Sequence, residues 1–218
     1  KAFTVNASAD PRETSAPVPD KTAEAILDAA SRRFLHYGYG KTTMSEIAGD
    51  CNMSPGNLYR YFPSKLDIAE AFVRRLRSEH LEELRKAASA PGLSTAERLE
   101  AYFRTKLKLA YDRYHDRPKA YELSQEILKE RISFASEWEA AEAMIIEDIL
   151  ARGAEAGDLV LPNPTRTARL LQDVFFRFTS SAIFFEGDYD GLARELDEVM
   201  ALVHDAFAWR HAGFVRGA

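Results

Sequence analysis

The stretch Thr43–Lys65, TMSEIAGDCNMSPGNLYRYFPSK, reads as two short helices joined by a tight turn, each with its own start signal. Thr43 and Glu46 make a T-x-x-E capping box, in which hydroxyl and carboxylate satisfy free backbone N–H groups. Met44, Ile47, Ala48 and Cys51 follow at i, i+3, i+4 and i+7, one face of a helix. Asn52 tolerates the left-handed conformation that ends a helix and turns the chain. Ser54 can cap the second helix, and Pro55 suits its first turn, where a missing N–H costs nothing. Leu58 and Phe62 point back to a core, whereas Gly56, Asn57, Arg60 and Tyr61 fall on other faces. Pro63 ends the helix and Ser64 can start another.

That spacing is the one a helix-turn-helix uses, with the second helix in the DNA major groove and the first across the backbone. A plain corner between two helices produces part of the same pattern, so pattern alone leaves both readings open. Outward Asn57, Tyr59, Arg60, Tyr61 and Lys65 favour DNA, because a structural corner has no need of them. Arg commonly reads guanine and Asn adenine by paired hydrogen bonds, which makes Arg60 and Asn57 the candidates for base edges. Ser54 starts this reading helix, and Gly56 would let its backbone approach closely.

These residues also resemble a known signature. SPGNLYRYFPSK, preceded by TTMSEIAGDCNM, is similar to the DNA-binding signature of the TetR/AcrR family of transcriptional regulators, from about Ala25 to Phe72. The chain departs from it at Cys51, Asn52 and Met53, where Ala, Gly and Val are common. The resemblance implies an all-helical homodimer with an N-terminal three-helix unit and a variable ligand-binding domain. It carries phosphate contacts onto Tyr59, Tyr61 and Lys65, with Thr42 or Thr43 at the second helix's start. It also implies a repressor that a small molecule releases from a pseudo-palindromic operator, with activation by the same architecture left open.

Composition fits. Hydrophobic residues make up 46% and charged residues 29% of 218 residues, as in ordinary globular proteins. No apolar run approaches the roughly 18 residues of a membrane span, and residues 1–20 do not read as a secretory leader. No membrane partner is therefore expected. One cysteine suits a reducing cytoplasm. The net charge is −5, yet from Arg32 to Arg77 eight basic residues oppose Glu46, Asp50, Asp67 and Glu70, a local balance of +4. A basic end on an acidic body would orient the protein on DNA.

Along the chain, the pattern predicts a flexible arm over 1–20 and a helix-turn-helix unit over 21–66. A connecting helix over 67–88 and a ligand-binding and dimerisation domain over 89–218 complete it. The first helix spans Lys21–Tyr37 with Gly38 as its stop. After a break at Ala90, Pro91 and Gly92, helices are expected near 95–114, 118–132, 136–153, 164–186 and 190–210, with caps at Thr95, Ser136 and Asp190. The class is all-α, with about nine helices.

The last two helices carry apolar stripes that include Leu171, Val174, Leu196, Val199, Val203 and Phe207. Such stripes serve as core or, as the resemblance implies, as a four-helix dimer interface. The middle helices are rich in aromatic residues: Tyr102, Phe103, Tyr111, Tyr114, Tyr121, Phe134 and Trp138, with Phe175 and Phe178 within reach. Such walls form either core or a pocket for an uncharged or weakly polar, lipophilic effector. No cofactor is called for. The five histidines lack metal-ligand spacing, and no nucleophile elbow, P-loop or dinucleotide fingerprint occurs. Cys51, on the inward stripe, reads as a small buried residue. A helical enzyme and a protein-binding adaptor are the rival classes; neither predicts salt-sensitive binding to a palindrome.

Overall fold

The computed structural model describes residues 21–179 and 187–211, and among them every regular element is helical. In order these are α1 (Lys21–Tyr37), α2 (Met44–Asp50), α3 (Pro55–Tyr61), α4 (Lys65–Ala88), α5 (Thr95–Asp116), α6 (Pro118–Glu130), α7 (Ile132–Ala156), α8 (Pro164–Phe175) and α9 (Tyr189–His211). A 3₁₀ turn, Phe176–Thr179, follows α8. The arm expected at 1–20 and the 180–186 part of the helix expected at 164–186 lie outside the described residues. No described helix is long and apolar enough to cross a membrane.

Two apolar cores organise the chain. The first joins Ile26, Leu27, Ala30 and Phe34 of α1 to Ile47 and Ala48 of α2, Leu58 of α3, and Ile68, Phe72 and Val73 of α4. Complete burial of each large aliphatic or aromatic side chain stabilises by about 1.5–3 kcal/mol. This core is closed from outside the three-helix unit, by Leu123 and Ile127 of α6 and by Phe134 of α7. Phe134, expected at a ligand pocket, is therefore part of the support beneath the helix-turn-helix. The second core gathers Leu99, Tyr102, Phe103 and Leu107 of α5 with Ile146 and Leu150 of α7, Leu171 and Phe175 of α8, and Leu196 and Met200 of α9. α4 serves both: Phe72 belongs to the first core and Leu84 to the second.

Three expected caps move. Ser94, not Thr95, caps α5: its Oγ accepts from Glu97 N at 3.3 Å, and Glu97 Oε2 accepts from Ser94 N at 2.8 Å. Thr95 is buried and donates to Asp158 Oδ2 at 2.6 Å. α7 starts four residues before Ser136, whose hydroxyl donates to Ser133 O, because buried Phe134 anchors the helix start against the first core. At α9, Asp188 rather than Asp190 accepts from Gly191 N, at 2.7 Å.

At Gly153, α7 closely approaches the start of α5: a Cβ built there lies 2.5 Å from Thr95 Cγ2 and 3.0 Å from Thr95 Cβ. Gly153→Ala would gain helix propensity, yet the stiff, hydrogen-bonded Thr95 has no room to yield. Thermal unfolding should show a net loss of about 1–3 kcal/mol, and adding Thr95→Ala should recover part of it. An unchanged midpoint in Gly153→Ala would show that α5 and α7 separate freely.

Candidate nucleic-acid interface and effector cavity

The α2–α3 corner is built almost wholly from local chemistry. Thr43 caps α2 in an extended conformation, with Glu46 Oε2 accepting from Thr43 N at 2.8 Å and Thr43 Oγ1 accepting from Glu46 N at 3.3 Å. The hydrogen bonds from Thr43, with Arg33 nearby, hold the Glu46 carboxyl below its usual range. Arg33 of α1 reaches both ends of α2, lying 3.2 Å from Glu46 and bonding Asp50 at 2.6 and 2.9 Å. Asn52 makes the turn at φ +53°, and Met53 N closes it on Ala48 O at 3.0 Å. Ser54 Oγ then accepts from Asn57 N at 3.2 Å and starts α3 with Pro55 in the first turn.

α3 buries Leu58 completely and turns its other residues outward. Gly56 and Arg60, four residues apart, are exposed on the side opposite Leu58, with exposed Tyr59 and half-buried Asn57 on the flanks. Nothing lies within 4 Å of a Cβ built on Gly56, so the helix axis can come close to a surface laid against it. Tyr61 is also exposed.

Two residues expected at this surface do other work. Thr42 is buried, and its hydroxyl donates to Gly38 O at 3.0 Å, which ties down the α1–α2 loop; a hydroxyl so enclosed does not reach DNA. Lys65 Nζ donates to Tyr39 O at 2.9 Å and Thr42 O at 2.8 Å and sits 4.2 Å from the Tyr39 ring centre. Its ammonium pins the same loop to the start of α4, and burial lowers its pKa. The local basic surplus shrinks as well. Arg74 pairs with Glu70 and Glu137, Arg75 with Asp28, and Arg77 turns towards the interior, so that of the eight basic residues Arg32, Lys41 and Arg60 are exposed with no ion pair among the described residues. Burial raises the Cys51 thiol pKa, which argues against a reactive thiolate.

Behind the reading unit lies a cavity of about 510 Å³ among α4, α5, α6, α7 and α8. Of the aromatic residues expected at a pocket, Tyr121 and Trp138 line it. Tyr102, Phe103, Phe175 and Phe178 are sealed in the second core, with Phe103 stacked on Phe175 at 4.0 Å, and Tyr111 and Tyr114 pack against that core. The wall carries charge instead. Lys106 Nζ lies 2.7 Å from Glu142 Oε2, both side chains almost wholly buried. Arg113 Nη2 donates to His80 Nδ1 at 2.8 Å; a guanidinium cannot accept, so His80 carries its proton on Nε2, which faces Glu142 Oε1 at 3.4 Å. Burial, opposed by Glu142, lowers the His80 pKa and keeps the ring neutral. Arg77 lies over the Trp138 ring at 4.5 Å.

These polar residues were legible only as anomalies. Lys106 interrupts the apolar face of Tyr102, Phe103 and Leu107, and Glu142 falls between Trp138 and Ile145–Ile146. An ionisable residue on such a stripe signals a buried polar site, but not its partners.

The terminal helices divide differently from expectation. Leu171 and Leu196 lie inside the subunit core, and Val199, Val203 and Phe207 pack against it. Val174 is 50% exposed, and Leu170 (52%) on α8 and Leu202 (70%) on α9 are exposed as well.

Comparison with known proteins agrees with this architecture. Residues 26–72 match the family model for bacterial regulatory proteins of the tetR family, and residues 95–200 match the tetracyclin repressor-like C-terminal domain. The HTH-type transcriptional repressor BepR of Brucella suis is 38% identical over 77 residues, 35% of this chain and 36% of BepR, so the match spans about a third of that relative. A transcriptional regulator from Cytophaga hutchinsonii superposes with a TM-score of 0.62 at 27% identity, over 84% of this chain and 96% of that one. The SmeT–triclosan complex shares the fold, with a TM-score of 0.58 at 23% identity over 84% and 91% of the two chains. The chain belongs to the tetR family of bacterial regulatory proteins and is a DNA-binding transcriptional regulator rather than an enzyme.

Proposed function

We propose that this regulator is a homodimeric, cytoplasmic repressor whose two α3 helices read a pseudo-palindromic operator and release it when a small molecule with an apolar body enters the cavity behind them. The observation that carries the reading is the outward face of α3. Gly56, Asn57, Tyr59, Arg60 and Tyr61 stand on a capped helix whose only buried residue is Leu58. Asn57 and Arg60 supply paired hydrogen bonds to base edges, Tyr59, Tyr61 and Thr43 reach phosphates, and Ser54 and Gly56 set the helix start and its close approach. Dimerisation through exposed Leu170, Val174 and Leu202 would place two heads one helical turn apart. A protein of the same fold, SmeT, forms a complex with triclosan, which supports a small-molecule ligand here.

α6 couples the two sites physically. Its Tyr121, Ser124, Gln125 and Leu128 line the cavity, whereas Leu123 and Ile127 are buried in the core beneath α1 and α4. Lys119 at its start donates to His36 O of α1, and Arg131 just past its end bonds Glu70 and Asp67 of α4. A ligand that displaces α6 therefore moves the reading head, and only a difference in ligand affinity between the two head positions is required. Mobility shifts on DNA flanking the encoding gene test the proposal. A palindromic segment should be retarded at low salt, with affinity falling steeply as salt rises. Absence of any retarded palindrome at low salt would sink the reading.

A further inference from the structure

Among the described residues the enclosed charges of this cavity do not balance. At its depth stand three cationic side chains, buried Lys106 and partly buried Arg77 and Arg113, with one buried carboxylate, Glu142, which Lys106 already engages at 2.7 Å. Arg113's hydrogen bond goes to the neutral His80 ring, and the buried Nε of Arg77 has no hydrogen-bond partner among the described residues. Uncompensated buried cations are costly to hold, and an enclosed donor without an acceptor costs more. Glu139 and Asp173 also face this cavity, but both are exposed at its rim, where water screens them. The adjoining groove also carries Glu79, Glu82, Glu83, Asp112 and Asp116, none in an ion pair with Arg113 among the described residues; Asp112 holds Lys108, and all but Asp112 are exposed to screening water. Trp138 and Tyr121 supply flat apolar wall beside the cations, and Phe176, 65% exposed, extends it at the rim.

We propose that this cavity takes an anionic ligand, a carboxylate or phosphate monoester on an aromatic body, with Arg77 and Arg113 holding its head and Trp138 and Phe176 its rings. The inference rests on the reading of this cavity as the effector site and gives that effector a chemical class. An anion here supplies the missing counter-charge and gains from fork-shaped guanidinium donors. Arg77 is pushed down to about 10, chiefly by burial and then by Arg113, the strain a bound anion would relieve.

Calorimetric titration of the full chain, without DNA, separates the possibilities with three probes sharing one ring system: naphthoate, naphthyl phosphate and naphthalenemethanol. At least one anion should bind about 10-fold or more tightly than the alcohol, and the better anion identifies the head group. That advantage should fall to about threefold or less in Arg77→Met and Arg113→Met, each checked for folding by circular dichroism. Alcohol binding as tightly as both anions, or an advantage that survives in both variants, overturns the anionic class. So does failure of every probe to bind at about millimolar concentration. Should a variant not fold, the parent's preference decides alone. The release reading fails separately, if a probe that binds leaves the DNA complex intact in a mobility shift.

Discussion

Glu142→Gln is expected to lower the folding stability of this protein by about 3–5 kcal/mol, as measured by denaturant unfolding, because it removes the buried carboxylate that pairs with buried Lys106. The amide fills the same space, so the loss is electrostatic rather than a cavity. Burial alone would raise the Glu142 pKa; the Lys106 ammonium and the His80 N–H outweigh it and hold the carboxyl at about 2. An unfolded chain protonates this group near 4.5, so its contribution is complete above that pH and is lost as the pH falls towards about 2. His80 adds in the same direction. Its folded pKa lies below its unfolded value, so stability falls further on acidification below about 6.5. Glu142→Gln should therefore flatten the stability profile between pH 4.5 and 2 while enlarging the His80 part, because the carboxylate that holds the His80 pKa up is gone. A variant as stable as the parent at neutral pH would show that the cluster is open to water.

Lys65→Ala should cost about 1.5–3 kcal/mol of stability, since its ammonium makes two charge-assisted bonds to loop carbonyls that would lose their donor. Its effect on DNA affinity should be indirect and equal across sequences, because the loop it pins carries Thr43 and the start of α2. Arg60→Ala, by contrast, should leave stability within about 0.5 kcal/mol, as for a surface change. A Lys65 variant with parental unfolding but weakened, salt-sensitive DNA binding would return Lys65 to the phosphate backbone.

The contrast between these residues shows what could be read without coordinates. Thr43 with Glu46, Asn52, Ser54 with Pro55, and Gly38 were legible because each acts on backbone within a few residues. The stop at Gly38, φ +92°, and the turn at Asn52 need only local sterics. The loop contacts of Thr42 and Lys65 are not legible in sequence, because their partners, Gly38 O, Tyr39 O and Thr42 O, come together only when the loop folds onto α4. Phe134 enters the first core rather than a pocket, since periodicity says that a residue is inward, not which core it enters. The cavity was the least legible part: aromatic side chains suggested apolar walls, but most of them fill core, and charged residues on three helices converge instead. Leu171 and Leu196 looked like an interface for the same reason, since one apolar stripe serves a core or a partner equally.

The central claim, that α3 reads DNA through Arg60, is tested most directly by titrating parent and Arg60→Ala against an operator and its single-base-pair variants. The parent should discriminate at each contacted position by about 1–3 kcal/mol, and Arg60→Ala should lose that discrimination at one base pair in each half-site while keeping it elsewhere. An equal loss on every sequence, with the preference intact at all positions, would contradict it.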